Sequence, residues 1–81
     1  MQINSIEKII ADINQIDNGK YKNLIVLNQS QVSNIIGVSS STLEKWRNEG
    51  IGIEWKKVGG RVLYPKLSIA QWLLQTIKTV S

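Results

Sequence analysis

The chain has 81 residues, 42% hydrophobic and 20% charged, with ten Lys and Arg against six Asp and Glu for a net charge of +4. This is the make-up of one small globular domain with a modest core and a bias toward polyanions, marginal in size unless it self-associates or binds a partner. There is no Cys and no His, which excludes a disulfide framework, a Cys/His zinc site, a thiol nucleophile and the commonest general base, so neither an enzyme nor a bound cofactor is expected.

The first element is marked by isoleucine. Ile3, Ile6, Ile9, Ile10, Ile13 and Ile16 fall within an arc of roughly 140° on a helical wheel, with Glu7, Lys8, Asp12 and Gln15 elsewhere on it. This predicts an amphipathic helix in a segment spanning 1–19, closed by Asp17-Asn18-Gly19 and serving in packing or dimerisation. Glu7, Asp12 and Asp17 are scattered carboxylates without the partners that catalysis or a metal requires. No apolar run approaches a membrane span, and Met1 leads into a stretch of mixed charge, so the expected place is the cytoplasm, away from membranes.

Lys20 to Asn23 reads as a connector. Leu24 to Leu27 is short, apolar and partly β-branched, which predicts a small strand. Asn28 or Ser30 then caps a short helix from about Gln31 to Ile36 that buries Val32, Ile35 and Ile36 and is broken by Gly37. A second helix follows at once, with Ser39, Ser40 and Ser41 as cap oxygens, Glu44 placed to complete a capping box with Ser41, and Leu43 and Trp46 facing inward up to Gly50.

From Ile53 to Tyr64 two β-prone runs flank Gly59-Gly60, the signature of a tight hairpin. Pro65 ends the second strand, and Ile69, Trp72, Leu73 and Ile77 line one face of a last helix capped near Ser68. Trp46 and Trp72 are in phase with apolar neighbours and expected in the core, whereas Trp55, beside Lys56 and Lys57, is expected to be partly exposed. Six of the ten cations, Lys45, Arg47, Lys56, Lys57, Arg61 and Lys66, fall between 45 and 66 against Glu49 and Glu54, which concentrates the basic excess in one region.

Two short helices joined by Gly37-Val38-Ser39, with the small Ser33 at their crossing, have the form of a helix-turn-helix. The run Asn28-Gln29-Ser30-Gln31-Val32-Ser33, Ile36-Gly37-Val38-Ser39, Thr42-Leu43, Trp46-Arg47, Val58-Gly59-Gly60-Arg61-Val62, Tyr64 and Trp72-Leu73 resembles the excisionase-type, MerR-like winged helix-turn-helix family over about residues 24 to 75. It departs from that family in Val32-Ser33, where alanines are usual, in Glu54-Trp55, in a segment that often carries proline, and in its N-terminal isoleucine helix.

The resemblance implies a mainly α fold with a small β-hairpin, a winged helix-turn-helix over 24–81 preceded by the amphipathic helix. It also implies binding of double-stranded DNA, with the second helix (about 40–49) in the major groove and the wing (about 54–64) on the backbone or minor groove. With Leu43 and Trp46 inward, Ser40, Ser41, Glu44, Lys45, Arg47 and Asn48 are expected to face the groove. Arg47 suits guanine and Asn48 adenine, while Ser40, Ser41, Thr42 and Lys45 suit phosphates or bridging waters. Glu44 either accepts from cytosine or serves as a cap, and the cap is the preferred reading. Lys56, Lys57 and Arg61 form the wing's contacts, with Arg61 placed for the minor groove.

The expected role is a small transcription regulator or an excisionase-like factor directing DNA recombination, partnered by DNA and by a second copy, a recombinase or RNA polymerase, with no small-molecule ligand. The alternative is a protein-interaction module that recruits its partner through the isoleucine helix or Trp55.

Overall fold

A computed structural model describes residues 5–78, with side chains through residue 76; Ile3 and the side chain of Ile77 lie outside the described residues. Helix α1 (Ser5–Gln15) continues into a 3-10 turn at Ile16–Asn18. It ends as its sequence dictates: Asp17, Asn18 and Gly19 are all left-handed, a conformation that short polar side chains and glycine tolerate. Ile13 is buried, and Ile9 and Ile16 pack beside it against the core; α1 lies against the last helix, α4 (Lys66–Lys78).

The supposed connector contributes to the core. Tyr21 is 1% exposed, and its carbonyl, together with the Asn14 side chain, accepts hydrogen bonds from the buried Lys66 Nζ. An isolated aromatic in a short polar segment has no periodicity to betray it. Lys66 therefore ties α4 to α1 and is not part of the basic surface; its burial pushes the ammonium pKa below the ordinary lysine value.

Strand β1 (Val26–Asn28) starts two residues later than expected, leaving Leu24 and Ile25 exposed and Leu27 fully buried. It joins β2 (Lys56–Val58) and β3 (Arg61–Pro65) in an antiparallel sheet of order β1-β3-β2, with Leu27 opposite Tyr64 and Lys57 opposite Val62. Gly59 and Gly60 both have positive φ (57° and 81°), as the primed two-residue hairpin turn requires.

Helix α2 (Gln29–Ile36) is capped by Asn28, not Ser30. The Asn28 side chain accepts from the Gln31 amide at 2.8 Å, and the Gln31 side chain returns a bond to the Asn28 amide at 2.9 Å, a reciprocal box that satisfies two otherwise free donors. We expect Asn28→Ala to cost about 1 kcal/mol, read as a lower urea midpoint at unchanged slope.

Ser33 explains the departure from alanine: its hydroxyl donates to the Val38 carbonyl at 2.6 Å, tying α2 across the turn. Helix α3 (Ser40–Glu49) is capped by Ser39, which accepts from the Thr42 amide at 3.1 Å. This corrects the expected Ser41–Glu44 capping box, because with Ser39 as the cap the third helical residue is Thr42 and Glu44 lies two residues too far along.

Helix α4 begins at Lys66, directly after Pro65, so Ser68 lies inside its first turn and is not its cap. The Lys66 amide donates to the Ile25 carbonyl at 2.9 Å, so the approach of β1 supplies the acceptor that a capping side chain otherwise provides. Leu27, Val32, Leu43, Ile53, Tyr64 and Ile69 complete the core, and Trp46 meets Trp72 at its flank with ring centroids 5.6 Å apart and planes at 41°.

Candidate nucleic-acid interface

On α3 the buried Leu43 and the half-buried Trp46 orient the helix, and the opposite side presents Ser41, Glu44, Lys45 and Asn48 to solvent. Spacings of three, four and seven residues place these four on one stripe. Ser40 and Thr42 flank the stripe and are half-buried. The Ser41 and Thr42 hydroxyls lie 3.2 and 2.9 Å from Ser39 Oγ, so the cap of α3 is a cluster of three hydroxyls at the positive end of the helix dipole.

Arg47 is placed differently from its neighbours on the helix. It follows Leu43 by four residues, which on a helix is nearly the same face, and its side chain is half-buried. Nη1 donates to the Gln29 Oε1 and, at 3.0 Å, to the hydroxyl of Tyr64, while Cζ lies 5.7 Å from the ring centroid of Trp55. The offset from Leu43 was the sequence signal for this partial burial; Tyr64 and Gln29, distant in sequence, offered none.

In the wing, Lys56, Lys57 and Arg61 are all exposed. Alternation along the strands divides them: Lys57 shares a face with Val62 and with the buried Tyr64, which reaches Arg47 on α3, whereas Lys56 and Arg61 share the other face with Val58 and Leu63. Trp55, 38% exposed, sits between α3 and β2. Among the described residues the ion pair found is Lys8–Asp12 at 3.9 Å on α1, so Lys45, Lys56, Lys57 and Arg61 are left without carboxylate partners.

The arrangement offers exposed cations without carboxylate partners beside a helix whose outward stripe carries both hydrogen-bond donors and acceptors. No group of three metal-ligating side chains occurs among the described residues, and none of their helices is long and apolar enough to cross a membrane.

No curated protein or solved structure shows significant similarity to the chain. The family model for a helix-turn-helix domain matches residues 26–76, from the start of β1 into α4, which is well over half of the chain. With the strand, turn, second helix, hairpin and closing helix all in the winged order, the chain belongs to the excisionase-like helix-turn-helix domain family, a DNA-binding family.

Proposed function

We propose that the protein binds double-stranded DNA sequence-specifically, with α3 in the major groove and the β2–β3 hairpin on the adjacent backbone or minor groove. The observation that carries this reading is the exposed stripe Ser41, Glu44, Lys45 and Asn48 next to a hairpin with three unpaired cations. Asn48 pairs bidentately with adenine and Glu44, relieved of a capping role, accepts from cytosine N4. Ser40, Ser41, Thr42 and Lys45 hold phosphates at the groove edge, and Lys56, Lys57 and Arg61 hold them along the wing, Arg61 reaching into the minor groove. The role is that of a small transcription regulator or of an excisionase-like factor that directs recombination, with a second copy, a recombinase or RNA polymerase as further partner. The isoleucine-helix form of the protein-interaction alternative gains no support, since Ile9, Ile13 and Ile16 face the core of their own domain, which leaves the partly exposed Trp55 as its surface.

The test is selection of duplexes from a random pool, followed by titration of the winner and a scrambled control across salt concentrations. Neutralising about five phosphates predicts a log-log salt slope of about −4 to −5, and Lys57→Ala or Arg61→Ala each reduces its magnitude by about one. A slope unchanged in both variants removes the wing from the interface. Equal, weak binding to every duplex removes sequence-specific reading.

A further inference from the structure

We propose that Arg47 is a positioning residue that locks the wing onto the recognition helix, and that base reading is left to its neighbours. The inference rests on the DNA-binding reading above. Four segments meet at this one side chain: α3, which carries it; Gln29, the first residue of α2; Tyr64 on β3; and Trp55 in the link from α3 to β2. Its Nη1 is shared between the Gln29 and Tyr64 oxygens and its Cζ lies over the Trp55 ring, 5.7 Å from the centroid.

Bidentate reading of guanine needs the edge of the guanidinium aimed outward into the groove. Here Nη1 is directed inward, to Gln29 and the buried Tyr64. Tyr64 is 1% exposed, and a buried phenol needs a hydrogen-bond partner, which Arg47 provides. The hairpin is held to the rest of the fold by the pairing of β3 with β1 and by Tyr64 and Val62 at the core, whereas Lys56 to Arg61 are all exposed, so its side-chain hydrogen bond to α3 is the one between Tyr64 and Arg47. The orientation of Lys57 and Arg61 relative to Asn48 and Glu44 therefore depends on the clamp. A lysine at this position keeps the charge but loses the planar fork.

The experiment uses the full 81-residue chain and the variants Arg47→Ala, Arg47→Lys, Tyr64→Phe and Lys57→Ala, with double variants. Arg47→Ala is expected to weaken binding to the selected duplex by about tenfold while leaving the ranking of bases at every position unchanged. Tyr64→Phe, altered at a buried residue that cannot touch DNA, is expected to weaken binding in the same base-neutral way, and Arg47→Lys to behave like Arg47→Ala. Lys57→Ala is expected to cost about fivefold in the parent and less than about twofold once Arg47 is absent, a coupling that simple loss of stability does not produce.

Relaxed preference at a single base pair in Arg47→Ala but not in Tyr64→Phe overturns the proposal, as does full activity of Arg47→Lys or additivity with Lys57→Ala. Amide hydrogen exchange without DNA decides the clamp separately. In Arg47→Ala the amides of β2 and β3 are expected to exchange about tenfold faster while those of α1 and α4 are unchanged; no change, or a uniform rise along the chain, overturns it. Failure of the parent chain to bind any duplex refutes the DNA reading, and with it the positioning role, even where the exchange data establish the clamp.

Discussion

Gly52→Ala is expected to destabilise the domain by about 3 kcal/mol, from left-handed backbone strain of about 1–2 kcal/mol and overpacking of about 1–3 kcal/mol. Gly52 has φ +86°, and a Cβ built on it falls 2.9 Å from Cε3 and 3.0 Å from Cβ of Trp46. Trp46 has little room to yield because its ring is wedged against Trp72 and the core cluster. For a domain of this size the loss corresponds to a fall in Tm of at least ~12 °C, measurable by thermal unfolding followed by circular dichroism. Gly59→Ala is the control: φ is +57° but nothing lies within 4 Å of the added carbon, so only the strain of about 1–2 kcal/mol applies. Equal losses in the two variants refute the packing argument. Because Gly52 lies on the link from α3 to the wing, its replacement is also expected to weaken DNA binding in protein that remains folded.

The second large effect is at Lys66. Its stem is buried and its ammonium donates to the Asn14 side chain and the Tyr21 carbonyl, so Lys66→Ala removes packing and two charge-assisted bonds at once, at a cost of about 3 kcal/mol. Lys66→Met keeps most of the stem. The Tyr21 carbonyl still accepts from the Leu24 amide at 3.2 Å, and Asn14 is only half-buried, so the cost falls to about 1 kcal/mol. Urea unfolding separates the two, and an alanine variant no weaker than the methionine one refutes the packing contribution.

The pH dependence follows from the direction of the shift. Burial lowers the folded-state pKa of Lys66 below its value of 10.5 in the open chain. Between the two pKa values the unfolded chain holds the proton more tightly, so the contribution of Lys66 to stability rises as pH increases through that window. The stability difference between the parent and Lys66→Met is therefore expected to widen from pH 7 to pH 10. A difference that narrows contradicts the assignment of burial as the cause.

The helix-turn-helix was legible because its information is local. Asn28, Gly37 and Gly50 mark helix ends through their own backbone chemistry, Val32 and Leu43 mark inner faces by spacing, and Gly59-Gly60 allows the hairpin turn by its φ angles alone. The isoleucine spacing likewise predicted α1 and its end at Asp17-Asn18-Gly19. The exposed positions of α3 followed from Leu43 and Trp46, which is why Ser41, Lys45 and Asn48 were read as outward from spacing alone.

What the sequence could not determine depends on partners far apart in the chain. The cap of α3 was misplaced by two residues because three consecutive serines are chemically equivalent until the turn selects Ser39, and the start of α4 was misplaced because its first amide is satisfied by the Ile25 carbonyl. Tyr21 and Lys66 read as connector and surface cation, yet they are buried against each other across forty-five residues. Spacing places Arg47 on α3 but does not show that its Nη1 meets the side chains of Gln29 and Tyr64, eighteen and seventeen residues away. Backbone conformation and periodicity are properties of neighbouring residues and are therefore written in the sequence; which polar group satisfies another across the core is set only when the helices and the sheet have packed.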